Sequence, residues 1–345
     1  MKEILQKIEK EKKQMEFKKR MVLVICAVLL CVSFIISMNT GYSQLSPSDT
    51  LRTLFGGGTE KENLVLFKFR LPRIVISMLV GAGLAVAGCV IQSVSGNQLA
   101  EPGLLGINAG AGLAVILFVI SSGGSVGTSV FSLPFLALLG AAGAAFVIYM
   151  LAYKRGQGIA PLRLILTGVA VQAGISALTT VLVIRLDEKQ FDFVANWQAG
   201  SIWGSNWNFV LSLLPWMIIL LPIVFYKGKV LDVLNLGEDV AKGLGVSVER
   251  ERGILLMLSV ALAASCVSVS GGIGFVGLIA PHLSKRLVGP RHSILLPASA
   301  MTGAVLVSAA DTLGRIILQP AELPTGIMIA VIGAPYFLYL LAKSR

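Results

Sequence analysis

The stretch GGIGFVGLIAPH, residues Gly271–His282, decides the architecture of this 345-residue chain. It is apolar, yet it carries four glycines and a proline within twelve residues. A transmembrane helix needs about 20 consecutive apolar residues, so this stretch is too short and too broken to be an ordinary span. Irregular backbone at membrane depth survives only where protein or a water-filled cavity covers its polar groups. The stretch therefore indicates a large bundle that encloses it, as in a transporter, rather than a simple membrane anchor.

The composition of the whole chain is that of a membrane protein. Hydrophobic residues make up 55% of it and charged residues 14%, whereas a soluble domain carries about 25% charged residues. We predict an all-α polytopic membrane protein with about ten transmembrane helices in a compact bundle. The predicted spans are 21–39, 71–94, 103–121, 130–153, 161–184, 208–226, 253–270, 273–287, 294–314 and 325–342, of which the eighth is short and broken.

Basic residues predict the orientation of these spans, because cytoplasmic loops collect Lys and Arg. With ten spans, 21 of the 29 basic residues fall on one side of the membrane, which makes both termini cytoplasmic. Residues 1–20 are then a cytoplasmic tail, residues 21–345 form one transmembrane domain, and the largest cytoplasmic loop covers 227–252. This bias also explains the net charge of +11, so membrane lipid rather than nucleic acid is the expected partner.

The largest cytoplasmic loop contains LGEDVAKGLGV, residues 236–246. Glu238 and Asp239 stand where a short helix would begin, and acidic residues there agree with the helix dipole. Val240 and Leu244 are four positions apart and share one helix face. The segment is therefore either a docking helix for a soluble partner or a solvated surface helix.

Two kinds of site are absent from the sequence. It contains no GxxxxGK[ST] phosphate-binding loop, so an ATPase that drives transport has to be a separate subunit. The four cysteines lie in apolar runs without metal-ligand spacing. We therefore expect this chain to bind no cofactor and no metal, with ATP and Mg on the partner ATPase.

Seven motifs in the same order identify a family resemblance. They are RLPR (70–73), GAGLAVAGCVIQ (81–92), NQLAEPGLLGINAGAG (97–112), LGEDVAKGLGV (236–246), GGIGFVGLIAPH (271–282), AADTLGR (309–315) and ELPTGIMIAVIGAPYF (322–337). The chain resembles the FecCD-type permease subunits of iron–siderophore, haem and cobalamin ABC importers, over about residues 50–342. It departs from the family at Gln98, where a proline is usual, and at residues 289–292, where the family has Asp-His-Arg.

The resemblance implies a transmembrane permease in the bacterial inner or plasma membrane that is not itself an enzyme. Its implied partners are a cytoplasmic ABC ATPase, a second permease chain (identical or a paralogue) and an extracytoplasmic substrate-binding protein. Ferric siderophores are the commonest cargo of such importers, and haem and cobalamin are the alternatives.

The resemblance also assigns roles to residues at the two ends of the bundle. Segment 236–246 is similar to the coupling helices that dock into a groove of the ATPase, and its candidate contacts are Glu238, Asp239, Val240, Leu244 and Gly245.

Three arginines match external residues that receive carboxylates from the binding protein, namely Arg70, Arg73 and Arg315. The planar guanidinium fork suits bidentate carboxylate binding. Two structural roles compete with docking. Arg70 and Arg73 could snorkel at a helix start, and Arg315 could pair with Asp311, four positions earlier.

The residues of the transport pathway are less clearly indicated than those of the docking sites. Asn97 and Leu99 lie at the cytoplasmic end of the second span, where the family narrows its path, but turn chemistry before Pro102 explains them as well. Gln172 and Ser176 are polar positions within span 161–184 and are candidates for lining the pathway.

Two other classes of function compete with an ABC importer. An ion-coupled secondary transporter usually places an ionisable residue near the bilayer centre, whereas these spans are nearly free of charge and Asp311 lies near an external end. An intramembrane enzyme would need a nucleophile–base pair or a metal set, and the sequence predicts neither.

Overall fold

The computed structural model describes residues 2–41, 46–122, 132–154, 158–159, 161–202, 204–318 and 321–343. Most of this part is α-helical. The helices are α1 (Lys2–Asn39), α2 (Pro47–Leu54), α3 (Glu60–Asn63), α4 (Leu71–Ser95), α5 (Ile107–Ser121), α6 (Ser132–Ala152), α7 (Pro161–Val183), α8 (Glu188–Gln198), α9 (Trp207–Tyr226), α10 (Gly228–Leu234), α11 (Glu238–Gly243), α12 (Val248–Ser270), α13 (Val276–Val288), α14 (His292–Ile317) and α15 (Thr325–Lys343).

Four shorter elements complete the described fold. A π-helical segment, Leu64–Arg70, continues directly into α4, and a 3-10 turn, Pro102–Leu105, precedes α5. Strands β1 (Tyr153–Lys154) and β2 (Gly158–Ile159) pair antiparallel in a small hairpin after α6.

A helix coincides with each of the ten predicted spans, which confirms the all-α membrane fold. Within the described residues, seven helical segments are long and apolar enough to cross a bilayer, and they include parts of α1, α4, α6, α7, α9, α12 and α14. Helices α5 and α15 are shorter apolar helices, and α13 has 13 residues. The count of ten crossings and the cytoplasmic termini therefore stay predictions. So does the division into a tail and one domain, although α1 runs unbroken from Lys2 to Asn39.

Some predicted boundaries are wrong by a few residues, and glycine explains two of them. The third span begins at Ile107 rather than 103, because Gly106, at a φ of +68°, separates the 3-10 turn from α5. The eighth span begins at Val276 rather than 273, because residues 271–274 are not helical. Residues 130 and 131, at the start of the fourth predicted span, lie outside the described residues.

The protein itself surrounds the broken stretch after α12. Gly271 has a φ of +67°, and a Cβ there would lie 1.9 Å from the Trp197 carbonyl oxygen, so only glycine fits. Phe275 is the one described non-glycine residue with a positive φ, +65°. Its backbone N–H donates to Glu101 Oε2 at 3.1 Å. Neighbouring chain segments therefore cover this irregular backbone, as the bilayer requires.

Helix α4 forms the centre of the bundle and is buried along most of its length. Small residues bring its neighbours into backbone contact, which is the usual way in which helices associate in lipid. A Cβ at Gly88 would lie 1.9 Å from the carbonyl oxygen of Gly277 in α13, and one at Gly81 would lie 2.2 Å from that of Gly303 in α14.

This packing predicts that two glycine substitutions differ in their effect on the stability of the protein. Gly88→Ala should destabilise the purified protein by at least about 1–3 kcal/mol, because α4 and α13 must separate to admit the methyl group. Gly143→Ala in α6 is the matched control, since nothing lies within 4 Å of its Cβ position. Thermal unfolding in detergent measures both. Equal melting temperatures for the two variants would contradict the packing described for α4.

Candidate functional site

The three arginines predicted to dock the binding protein lie at one end of the bundle, and two of them, Arg73 and Arg315, contact the carboxylate of Asp311. Nε and Nη2 of Arg73 donate to Asp311 Oδ1 at 3.0 and 2.9 Å. Nε of Arg315 lies 3.4 Å from Asp311 Oδ2, which confirms the predicted i,i+4 ion pair. Thr325 Oγ1 also donates to Asp311 Oδ1, at 3.0 Å. Asp311 is 1% exposed, so this buried carboxylate organises the cluster.

Arg70 and Arg315 also bind the end of α1. Nη1 of Arg70 donates to the Met38 carbonyl oxygen at 2.5 Å, and Nη1 of Arg315 donates to that of Thr40 at 3.1 Å. Cations there satisfy carbonyl groups that the helix leaves unpaired at its C-terminus. Because Arg70 and Arg73 are both buried, the snorkelling role considered for them is wrong.

Glu322 is the surface member of this arginine cluster. Its Oε2 accepts from Arg73 Nη1 at 2.6 Å, and its side chain is 30% exposed. A carboxylate of another protein that approaches Arg73 would find Nη1 already bound to Glu322. Glu322 begins the motif at 322–337, but no role was predicted for it, because the contact joins residues 249 positions apart.

The buried cluster predicts a large loss of stability for Asp311→Ala. Removing the carboxylate leaves the charges of Arg73 and Arg315 without their common partner, which typically costs about 3–5 kcal/mol in a buried site. Arg52→Ala is the control, because its ion pair with Glu62 is exposed and such pairs contribute little. Thermal unfolding in detergent compares the two. A loss from Asp311→Ala no larger than that from Arg52→Ala would refute the organising role of Asp311.

The segment predicted to couple to an ATPase is indeed helical, as α11. Lys242 Nζ and Arg252 Nη1 lie 2.9 and 3.0 Å from the two carboxylate oxygens of Glu238. Hydrogen bonds from Lys242 and Arg252 lower the pKa of Glu238 below its ordinary value. A second pair, Lys227 to Glu251 at 2.7 Å, joins the end of α9 to the start of α12. Ion pairs therefore secure the loop at its base and at α11.

An apolar surface projects from this loop. Val240 and Leu244 are 50% and 62% exposed, and Leu236, for which no contact was predicted, is 61% exposed. Asp239 is exposed beside them, and Gly245 ends the helix region with a φ of +80°. Contiguous exposed apolar residues mark interaction sites. We call Leu236, Val240 and Leu244 the docking edge; its binding to an ATPase stays a prediction.

The proposed gate residues form a defined turn after α4. Gly96 ends the helix at a φ of +64°, and Asn97 Oδ1 accepts from the Leu99 backbone N–H at 2.9 Å. This is a turn of the kind that asparagine favours. Turn chemistry is thus confirmed for Asn97, and the gating role stays a prediction. On α7, Gln172 is half-buried and Ser176 is exposed, so this chain alone does not enclose them.

The structure brings together one set of residues that the sequence patterns did not reveal. Ser93 Oγ lies 2.6 Å from His292 Nε2, and His292 Nδ1 lies 2.7 Å from Asp232 Oδ1. A serine, a histidine and an aspartate thus lie within hydrogen-bonding distance of one another, although none of the three was selected from the sequence. These residues are 199 and 60 positions apart in sequence, so no local motif could reveal them. Among the described residues, no group of three His, Cys, Asp or Glu side chains could hold a metal ion.

A polytopic helical bundle with a glycine-broken segment enclosed by protein and an exposed apolar docking edge is the architecture of a membrane transport subunit. The sequence model of the FecCD transport family matches residues 29–343, and the chain belongs to that family. It is therefore an ABC transporter permease, a transport subunit rather than an enzyme, and ATP hydrolysis belongs to a separate ATPase.

Individual relatives are similar in sequence to this chain over most of its length. The iron(3+)-hydroxamate import system permease protein FhuG of Bacillus subtilis is 52% identical, over 94% of this chain and 97% of the relative. The Fe(3+) dicitrate transport system permease protein FecD of Escherichia coli is 42% identical, over 81% and 86%. A solved metal-chelate type ABC transporter in an inward-facing conformation has a TM-score of 0.82 and 32% identity, over 94% of this chain and 99% of that one.

Proposed function

We propose that this chain is the permease of an ATP-driven importer that takes up ferric siderophores of the hydroxamate class. The observation that carries the proposal is the 52% identity, over 328 residues, to a permease named for iron(3+)-hydroxamate import. Other similar relatives are named for ferric citrate and achromobactin transport. This set favours iron chelates over haem and cobalamin, and an ATP-driven importer over an ion-coupled transporter.

The transport path runs between this chain and a second permease chain, identical or a paralogue. Helix α7 supports this arrangement, because the chain alone leaves most of its surface uncovered. Ser176 lies on that open surface and Gln172 at its edge. Gly174 has no atom within 4 Å of its Cβ position, so a second chain can approach α7 closely. A weakly polar surface along the path would bind a bulky chelate only loosely, so that the chelate can be released into the cell.

At the cytoplasmic end, the docking edge inserts into the ATPase. The hydrogen bonds of Glu238 hold α11 in position, and Leu236, Val240 and Leu244 provide the apolar area that the ATPase would cover. At the outer end, the binding protein docks on the arginine cluster, where one of its carboxylates replaces Glu322 on Arg73 Nη1. The cluster carries three arginines against two carboxylates, so it attracts an acidic partner.

The function is tested by uptake in cells that lack this gene. Loss of ferric hydroxamate uptake, with ferric citrate, haem and cobalamin uptake retained, is the expected result. The intact gene should restore uptake, whereas Leu244→Asp should lower it at least about tenfold, because burying the new charge against the ATPase is costly. Leu244→Met keeps the apolar surface and is the control. Loss of haem or cobalamin uptake instead would assign a different cargo, and unchanged uptake of all four would refute the proposal.

The docking model predicts that Glu322→Gln strengthens, rather than weakens, the binding of the substrate-binding protein. Neutralising this residue removes the carboxylate that competes for Arg73, so the affinity of the importer for its binding protein should rise by about threefold to tenfold. Glu62→Gln, which removes another carboxylate of the same external region, should leave the affinity nearly unchanged. Surface plasmon resonance on the detergent-solubilised importer measures both. A lower affinity for Glu322→Gln would mean that the binding protein does not take the place of Glu322.

A further inference from the structure

We infer that His292 is a positioning residue that links the ATPase-docking helix α11 to the gate turn at Asn97–Leu99. It does so through a hydrogen-bonded bridge of Ser93, His292 and Asp232. This inference rests on the proposed importer function, because it concerns how ATP hydrolysis at one segment reaches the pathway at the other.

The geometry of the bridge holds His292 at three points, namely its backbone N–H and both nitrogens of its ring. Asp232 Oδ1 accepts from the backbone N–H of His292 at 2.8 Å and contacts Nδ1 of its ring at 2.7 Å. On the other side of the ring, Nε2 lies 2.6 Å from Ser93 Oγ. His292 is 1% exposed and Asp232 is 30% exposed, so the imidazole is buried while the carboxylate reaches the surface. The same carboxylate oxygen thus holds both the ring and the start of α14.

The donor and acceptor roles follow from the chemistry of the groups. An ionised carboxylate only accepts hydrogen bonds, so the proton of a neutral ring lies on Nδ1 and Nε2 accepts from Ser93. The Ser93 hydroxyl also lies 2.9 Å from the Cys89 carbonyl oxygen, which is a second acceptor for its single proton. Buried hydrogen-bond chains of this kind make the positions of their members depend on one another.

The bridge joins the ends of three helices that adjoin the two functional segments. Ser93 is two residues before the end of α4, and Asn97 follows directly after Gly96. Asp232 is two residues before the end of α10, and α11 begins at Glu238. His292 itself is the first residue of α14. A displacement of α10 caused by the ATPase would therefore reach α4 through this bridge, in addition to the direct packing of α10 and α14 against α4.

A cavity beside the bridge provides the space for such a displacement. Its volume is about 370 Å³, and Ser93 and His292 form part of its wall. Gln98 of the gate turn and Asn235, in the link between α10 and α11, line the same cavity. The turn and the link thus line the same open space, while the bridge hydrogen-bonds the helices that support them.

The same three residue types form the catalytic triad of many hydrolases, but the surroundings of Ser93 do not fit that role. A hydrolase places backbone N–H donors beside its serine to stabilise the oxyanion. Ser93 lies within α4, where backbone N–H groups are used by the helix itself. The bridge is therefore assigned to positioning.

The test compares uptake with ATP hydrolysis in the complete importer, purified from its native cells through a tag on this chain and reconstituted in liposomes. His292→Ala, Asp232→Asn and Ser93→Ala should assemble and hydrolyse ATP, while the amount of ferric hydroxamate imported per ATP hydrolysed falls at least about fivefold, the lower range of coupling between sites. Ser265→Ala is the control, because its buried hydroxyl donates to the Leu262 carbonyl oxygen within its own helix and is not part of the bridge.

The outcomes separate the inference from the function on which it rests. Wild-type importer that hydrolyses ATP but imports no ferric hydroxamate would refute the proposed cargo, and with it this inference. Wild-type importer that works, with variants that keep the same ratio of import to hydrolysis, would overturn the bridge alone. A ratio preserved because both activities fall together would show a merely structural role. Covalent labelling of Ser93 by a fluorophosphonate would overturn the positioning assignment in favour of hydrolase chemistry.

Discussion

The bilayer core contains no water that could satisfy an unpaired backbone group, and this constraint governs the most irregular part of the molecule. Between α12 and α13 the chain leaves helical geometry for five residues, 271–275. The Trp197 carbonyl packs against Gly271, and Glu101 binds the backbone N–H of Phe275. The elements that carry these groups, the end of α8 and the turn before α5, are thereby fixed against the centre of the bundle.

The charged side chains are buried at one end of the bundle and exposed at the other. Around Asp311 the arginines are buried and bound to groups of their own chain, so this end is held together by ion pairs. At α11 the charges are exposed and hold a short helix in place, and the uncovered groups are apolar. A partner at the first end has to compete with an existing carboxylate, whereas a partner at the second end covers hydrophobic surface.

Much of this fold could be predicted from the sequence, because a long apolar run indicates a membrane-spanning helix. The broken segment was also predictable from its glycines, three of which lie in the non-helical residues 271–275. Helix α11, within the motif 236–246, followed from its charges and spacing. Boundaries such as Gly106 and Val276 were missed by a few residues, because a positive φ depends on the packing around the glycine.

The contacts of the candidate site were harder to predict, because they join distant segments. The pairing of Arg73 with Asp311 spans 238 positions, and the contact of Glu101 with Phe275 spans 174. Motif matching selected the three arginines but could not show that two of them, Arg70 and Arg315, bind the end of α1. It also missed the bridge at His292, since serine, histidine and aspartate are unremarkable when each is read alone.

The most direct test of this account is a cryo-electron microscopy map of the intact importer in lipid nanodiscs. We expect Leu236, Val240 and Leu244 to lie within a groove of the ATPase, and residues 271–275 to be enclosed by protein with no lipid contact. A map with α11 free in solution, or with residues 271–275 facing the acyl chains, would contradict the account.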